Sequence, residues 1–248
     1  MINRINPVTR LLLAILLSIP VIITLDWVSA TVVFLSCLAL APVVGFPLRT
    51  IGTRLIPLLL VAPLGAISMA LYGKPGGEVH FHWFLITISD QSVRMALAAF
   101  LRVFALGLPT ILLFTTVDPT DMADGLAQVA KLPARFVLGT LAGVRMVGLF
   151  LDDWRSLEHA RRARGLGDTG RLRRWFTMAF ALMVFAVRRG SRLATAMEAR
   201  GFGGNERTWA RPSTVGWPDA IAVGVSIAIG AAALIAAWQA GTLWVIGS

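Results

Sequence analysis

Apolar residues in this chain form long runs and do not alternate with polar ones. A membrane-spanning helix needs about 20 mostly apolar residues, and five runs approach or exceed that length: 11–25, 27–48, 55–73, 95–117 and 220–248. Asp26 separates the first two runs, which predicts a tight turn, and Arg102 interrupts the fourth. The pattern predicts an all-α polytopic membrane protein with about five transmembrane helices.

Composition favours the same class. Of the 248 residues, 56% are hydrophobic and 15% are charged, whereas soluble domains are about 45–50% apolar and about 25% charged. These proportions exclude a disordered chain, a collagen and an ordinary cytosolic enzyme. The single cysteine, Cys37, lies inside an apolar run and has no second cysteine with which to form a disulfide or a metal cluster.

The charge distribution predicts an orientation. The net charge of +10 comes from 23 Lys and Arg against 13 Asp and Glu. In an apolar chain such an excess marks cytoplasmic loops, whereas a nucleic-acid-binding protein would need an aqueous domain to display it. Basic residues precede the first run and separate the second from the third, at Arg4, Arg10, Arg49 and Arg54. We therefore predict a cytoplasmic N-terminus, a cytoplasmic loop at 49–54 and an external C-terminus at Ser248.

Two segments admit a second interpretation. The first run has features of a secretory signal with a cleavage site at Val28-Ser29-Ala30, but another apolar helix follows at once, so we interpret it as a span. The segment 74–90 has turn residues followed by partial alternation, which predicts an external hairpin. His80 and His82 there could form half of a metal site. No third ligand is in view, so we interpret them as interfacial residues.

The charged residues are concentrated between the fourth and fifth apolar runs. Residues 118–216 hold 16 of the 23 basic and 9 of the 13 acidic residues, and a structureless loop of this length would be unusual. We therefore predict three regions: a four-span transmembrane region at 1–117, a cytoplasmic helical module at 118–216 and a C-terminal transmembrane helix at 217–248.

Two long helices are predicted within that module, at about 136–164 and 175–200. Each has an apolar first half, too short for a comfortable span, and a charged second half. We therefore place them at or below the cytoplasmic surface. Gly139 and Gly143 on the first helix form a small-residue notch for packing against another helix.

These two helices end alike. Ala160-Arg161-Arg162-Ala163-Arg164-Gly165-Leu166-Gly167 and Ala196-Met197-Glu198-Ala199-Arg200-Gly201-Phe202-Gly203 share the pattern A-x-x-A-R-G-[LF]-G, 36 residues apart. An arginine at a helix C-terminus balances the helix dipole and keeps a planar fork of donors free. The small alanine before it and the glycine after it leave room for a groove. We interpret each end as a plug for an acidic pocket on another protein; simple capping of two similar helices is the alternative.

Paired Ala-Arg-Gly helix ends behind four N-terminal spans resemble the T component (the EcfT/CbiQ-like transmembrane subunit) of energy-coupling-factor ABC transporters. The opening Asn6-Pro7-Val8-Thr9-Arg10-Leu11-Leu12, the pair Thr115-Thr116 and Leu132-Pro133 are further marks of this resemblance, which covers essentially the whole chain. It implies a multi-pass subunit of a prokaryotic cell membrane that has no cofactor and does not hydrolyse ATP.

The resemblance also implies partners and site residues. In that family the two long helices cross and are called coupling helices, and each tip docks on one of two ATP-binding ABC subunits. By match, the docking residues here are Ala163, Arg164, Gly165, Ala199, Arg200 and Gly201. The family's T component joins the ATPases to one substrate-binding S component for vitamin or metal-ion uptake.

Two other functions remain open at this point. A membrane-embedded, Mg²⁺-dependent lipid or isoprenoid transferase could use spaced carboxylates, for which Asp118, Asp121, Asp124 and the pair Asp152-Asp153 are the candidates. An ordinary ABC importer permease would carry a loop motif that Glu198-Ala199 only begins. The sequence contains no G-x-x-x-x-G-K-[ST] phosphate loop.

Overall fold

The computed structural model of the chain describes residues 5–24, 26–45, 48–73, 76, 79–83, 86–166, 170–202, 204 and 208–242. Within them lie eight α-helices and one antiparallel pair of strands. In chain order these are α1 (Pro7–Ile23), α2 (Trp27–Val44), α3 (Leu48–Tyr72), β1 (Val79–Trp83), β2 (Ile86–Ser89), α4 (Asp90–Phe114), α5 (Pro119–Gln128), α6 (Ala134–Ala163), α7 (Arg171–Ala199) and α8 (Trp217–Gln239). The predicted all-α, polytopic class is confirmed.

The chain divides into two compact units. The first comprises Met1–Asp118 together with Thr214–Ser248, and the second comprises Pro119–Ser213. The first unit contains α1 to α4, the strands and α8, whereas the second contains α5, α6 and α7.

The helix lengths refine the span prediction. By length and composition, α3, α4, α6 and α8 can each cross a membrane. With 17 and 18 residues, α1 and α2 lie at the lower end of the roughly 17–25 residues that a span needs. Asp26 caps the start of α2 and Gly45, with φ of 101°, ends it, so local turn chemistry sets both ends of α2.

The segment 49–54, predicted as a loop, is helical. α3 begins at Leu48 and includes both Arg49 and Arg54. Arginine is a good helix former, so a charge that ends an apolar run does not end the helix. α6 likewise continues from an apolar first half into a charged second half. It is therefore long and apolar enough to cross a membrane, although the sequence pattern predicts that it lies at the surface.

Small and apolar side chains form the core of the first unit. Its fully buried members come from α1, α2, α4 and α8, among them Val21, Val33, Ala105, Leu108 and Ala233. α4 packs against α1, α2 and α3. Gly107 permits the close approach of α3, since a Cβ there would lie 2.5 Å from the Cδ1 atom of Leu58. Small residues allow such approaches between apolar helices.

Polar contacts join the ends of helices in this unit. The Asn6 side chain caps α1, and the Asn6 backbone N–H donates to Asp219 at the start of α8 over 2.8 Å. Buried Arg10 donates to Thr116 Oγ1 over 3.0 Å. The opening motif and the Thr115-Thr116 pair, which lie far apart in the sequence, therefore meet in the structure.

Arg102 of α4 contacts the end of α1. Its Nη2 atom donates to the backbone carbonyls of Val21, Ile22 and Thr24 at 2.5, 2.8 and 3.2 Å. These carbonyls belong to the C-terminal end of α1 and the residue that caps it, so a cation from α4 satisfies acceptors that a helix end leaves unpaired.

The strands β1 and β2 form an antiparallel hairpin in the segment predicted to hold one. Phe81 pairs with Ile88 and Trp83 with Ile86, and the register is irregular between Val79 and Phe81. The side chains of His80 and His82 lie outside the described residues.

Candidate functional site

An ion pair joins α6 and α7 at equivalent positions. Arg189 donates to the two carboxylate oxygens of Asp153 at 2.7 and 3.3 Å. Asp153 lies eleven residues before Arg164, and Arg189 lies eleven residues before Arg200. The two long helices thus meet at the same distance from their ends.

Further contacts fix the direction in which the helices run. Arg174 of α7 donates to Glu158 of α6 over 3.0 Å, and Arg161 of α6 donates to Thr177 of α7 over 3.2 Å. Later residues of α6 therefore lie beside earlier residues of α7, and the helices leave their ion pair in opposite directions. Because eleven residues of α-helix rise about 16 Å, we estimate that the two ends lie up to about 33 Å apart.

Glu158 serves both helices. It accepts hydrogen bonds from Arg162, one turn later on α6, and from Arg174 of α7. It lies in the charged second half of α6, where the hydrogen bond from Arg162 lowers the pKa of its carboxyl group. Arg161 and Arg162 of the first end are thus engaged within the chain.

The end of α6 closes with a pair of backbone hydrogen bonds. Gly165 has a φ of 70°, and its N–H donates to the carbonyl of Arg162 over 3.0 Å. The N–H of Leu166 donates to the carbonyl of Arg161 over 3.0 Å. This is the Schellman arrangement, in which a left-handed residue lets the chain satisfy the last carbonyls of the helix.

The end of α7 repeats it. Gly201 has a φ of 74° and donates to the carbonyl of Glu198 over 2.9 Å, while Phe202 donates to that of Met197 over 3.0 Å. In both helices the arginine is the capping residue, with φ and ψ of −89° and 8° at Arg164 and of −92° and 13° at Arg200. The two motifs therefore share a backbone conformation as well as a sequence.

Capping accounts for the glycines but not for the arginines. Glycine is the favoured residue at a φ near 70°, whereas the dihedral angles of Arg164 and Arg200 have a negative φ and do not require a particular residue. Both arginines are exposed, and neither side chain has a hydrogen-bond or ion-pair partner within the described part of the chain. Ala163 and Ala199 beside them are also exposed. Each helix therefore ends in an accessible cation with little bulk around it.

The glycine notch on α6 faces open space. Gly139 and Gly143 are exposed, and a Cβ at either position would have no heavy atom within 4 Å. Within the described residues, then, no helix fills the notch.

The carboxylates proposed for a transferase are engaged in ion pairs or spread apart. Asp153 is paired with Arg189, Asp152 lies 3.5 Å from Arg155, and Asp121 lies 3.7 Å from Arg211. Among the described residues, no group of three or more His, Cys, Asp or Glu could hold a metal ion.

Comparison with known proteins settles the family. Residues 1–209 match the family model of CbiQ, described as a cobalt transport protein. The chain belongs to this family. Its predicted resemblance to the EcfT/CbiQ-like T component is therefore confirmed.

Relatives of this family cover most of the chain. The energy-coupling factor transporter transmembrane protein EcfT of Limosilactobacillus fermentum is 30% identical over 196 residues, which are 74% of this chain and 73% of the relative. EcfT of Brevibacillus brevis is 28% identical over 238 residues, or 91% and 89% of the two chains. EcfT of Lactococcus lactis is 29% identical over 223 residues, or 84% and 82%. The chain is thus a transmembrane subunit of the energy-coupling-factor transporter class.

Within the candidate site, the structure shows contacts between α6 and α7 that the sequence pattern did not predict. Asp153, Arg189, Glu158 and Arg174 hold the two helices together. One signal was present: Asp153 and Arg189 are 36 residues apart, the same separation as Arg164 and Arg200. Opposite charges at equivalent positions of a repeat indicate that the two copies meet there.

Proposed function

We propose that this chain is the coupling subunit of an energy-coupling-factor importer. The exposed ends of α6 and α7 dock on two ATP-binding subunits, and the chain passes their conformational change to a substrate-binding S component. The transporter takes up a vitamin or a metal ion, and this chain does no chemistry of its own. Its family membership supports the transporter class, and the geometry of the helix ends supports the docking role.

The observation that carries the proposal is a pair of arginines without a partner among the residues that the structure describes. Arg164 and Arg200 occupy the same position in two identical helix terminations, and both are exposed. An arginine fork can donate two parallel hydrogen bonds to a carboxylate. Two equivalent cations up to about 33 Å apart suit a pair of similar subunits, each with one acidic groove.

Ion pairs make α6 and α7 a suitable mechanical link. Asp153–Arg189 and Glu158–Arg174 tie the helices between their two ends. When two docked ATPases approach or separate, helices joined in this way change their mutual angle and do not slide independently. The movement then reaches whatever packs on their apolar sides.

The apolar sides of the two helices are the proposed surface for the S component. On α7, Phe176, Phe180 and Val187 are each at least 65% exposed, and α6 presents its open glycine notch. Large exposed apolar patches mark protein or membrane contacts. Close packing at small residues is a common way for apolar helices to associate.

Charge reversal at the two ends tests the docking role. In R164E/R200E we expect the ATPase subunits of the same transporter to be lost from the purified complex. Removing a charge that is buried and hydrogen-bonded in the docked complex costs about 2–5 kcal/mol of binding free energy at each site. Neither arginine has a partner within the described residues, so the chain should still insert and fold. Co-purification from membranes with tagged ATPase measures the outcome.

Arg155 and Arg173 provide the matched control. They are exposed arginines of α6 and α7 that lie 9 residues before Arg164 and 27 residues before Arg200. R155E/R173E makes the same change in net charge and should leave the ATPases bound. Unchanged recovery of ATPases with R164E/R200E would refute the docking role, as would equal losses with both double variants.

A further inference from the structure

A cationic cleft lies between α6 and α7, apart from the helix ends. It has a volume of about 380 Å³ and is lined by Asp153, Phe185, Arg188, Arg189 and Arg192. The docking role proposed above uses the ends of the helices and makes no use of this cleft.

The cleft holds more positive charge than the described residues neutralise. Asp153 is taken by Arg189, whereas Arg188 and Arg192 are exposed and their guanidinium groups have no partner within the described part of the chain. The formal charge of the lining residues is +2, from three arginines and one aspartate. Arg188 and Arg192 are one helical turn apart, and like charges at that spacing repel each other. An anion placed between them would relieve the repulsion and accept donors from both guanidinium groups.

Exposed apolar side chains adjoin this charge. Val184 and Phe185 lie one turn before Arg188 and Arg189, and both are exposed, at 47% and 39%. Both helices also change character at the cleft. The apolar half of α6 ends at Leu151, just before Asp153, and that of α7 ends at Val187, just before Arg188. A helix changes from apolar to cationic in this way where it lies at a membrane surface.

We propose that this cleft binds the phosphodiester head group of an anionic phospholipid, with the acyl chains lying against Val184 and Phe185, beside the surface proposed for the S component. Arg188 and Arg192 contact the phosphate, while Arg189 remains with Asp153 and keeps the two helices together. A soluble phosphate would use the arginines but not the apolar surface beside them. A carboxylate of a partner protein would match the charge but not the coincidence of both apolar boundaries. An anionic phospholipid matches all three features.

Lipid titration of the purified full-length chain tests this site. The chain in neutral detergent is titrated with phosphatidylglycerol or with phosphatidylcholine of the same acyl chains, and bound lipid is counted by native mass spectrometry. We expect a preference for phosphatidylglycerol that R188Q/R192Q weakens by about 30-fold, given the usual contribution of a basic residue near an anionic surface. The single variant R192Q, at an exposed position, should weaken it about fivefold.

The matched control is R155Q/R173Q, which removes two exposed arginines of the same helices outside the cleft and should bind lipid as the unaltered chain does. Equal phosphatidylglycerol binding by R188Q/R192Q and R155Q/R173Q would overturn the proposal. Soluble glycerophosphoglycerol should not compete at the lipid's concentration, and full competition would identify a site for a soluble phosphodiester instead. If R188Q/R192Q binds lipid normally but loses the ATPases, the cleft belongs to a protein interface and the lipid site is refuted. Loss of lipid with ATPases retained supports the lipid site and leaves the docking proposal standing.

Discussion

We expect glycine to have opposite effects on stability at two positions, one inside α7 and one directly after it. Gly201 has a φ of 74°, where a Cβ is strained, whereas Gly190 lies within the helix and a Cβ there would meet no heavy atom within 4 Å. A left-handed conformation costs a residue with a side chain about 1–2 kcal/mol. A glycine inside a helix costs about 0.5–1 kcal/mol relative to alanine. The conformation of the backbone therefore decides whether a glycine raises or lowers the stability of the chain.

We expect G201A to lower the stability of the chain by about 1–2 kcal/mol and G190A to raise it by about 0.5–1 kcal/mol. Thermal unfolding in detergent, followed by circular dichroism, measures both. G201N should fall between G201A and the unaltered chain, since asparagine tolerates the left-handed region better than alanine. Destabilisation by both alanine variants would show that Gly190 has a packing role that the structure lacks.

Arg102 is a second residue whose role the structure makes testable. Its three carbonyl acceptors end α1, and in an apolar setting no water replaces a lost donor. We expect R102M to cost about 1–3 kcal/mol, the usual effect of leaving a buried polar group unpaired. Arg94 of α4 is exposed and has no partner in the described residues, so R94M is the control. If R102M unfolds like R94M but loses the S component, Arg102 contacts that subunit instead.

At the scale of elements, the glycine notch of α6 is a candidate contact surface for a helix of another subunit. Gly139 and Gly143 share one face of the helix, and both are open. Leucine at these positions should therefore leave the chain as stable as before, or slightly more so, while blocking the approach of another helix. We expect G139L/G143L to lose the S component and to keep the ATPases in a pull-down from membranes.

Gly148 supplies the control for this prediction. It is also open, but nine residues after Gly139 it faces the opposite side of α6, since successive residues turn by about 100°. G148L should retain both partners. Retention of the S component by G139L/G143L would mean that the notch is not its contact surface.

For the whole molecule, the side of the membrane reached by the C-terminus depends on whether α6 crosses the bilayer. If α1 to α4 and α8 are the spans, the chain crosses five times and Ser248 is external. If α6 also crosses, Ser248 is cytoplasmic. We expect the first arrangement, because the basic residues of the second half of α6 and of α7 belong with the cytoplasmic charge.

Labelling single added cysteines with a membrane-impermeant maleimide tests this topology. The native Cys37 is buried and should remain unlabelled. In intact cells S248C should be labelled, whereas S156C, in the charged half of α6, should be labelled only after permeabilisation. Labelling of S248C only after permeabilisation would contradict five crossings.

Helix positions were largely predictable, because an apolar run of sufficient length in this chain is a helix wherever the structure describes it. The boundaries were not. α3 extends back through Arg49 and Arg54, since arginine is a good helix former, and α4 begins at Asp90, five residues before its apolar run. The capping box of Ser89 and Ser92 starts α4, a signal that hydropathy alone ignores.

The paired ends of α6 and α7 were predictable from the sequence as a repeat, because each end needs only adjacent residues: a cation, a small neighbour and a glycine for the left-handed turn. Which arginines remain available was a tertiary question. Arg162 pairs with Glu158 four residues earlier on the same helix, a contact that the sequence spacing allows. Arg161 differs little from Arg164 in the sequence, yet it donates to Thr177 of α7, whereas Arg164 has no partner within the described residues. For Arg161 the partner depends on which helix packs beside it, and only the fold supplies that neighbour.

The order of residues along the chain decided the class of the protein, the existence of its long helices and the conformation of their ends, since each follows from interactions within a few turns. The fold decided that Asp153 meets Arg189, that Arg10 meets Thr116 and that Arg188 and Arg192 lie in a cleft where no described residue neutralises them. The two pairings join residues 36 and 106 positions apart. Their free energies depend on distance and burial, which composition and periodicity do not specify.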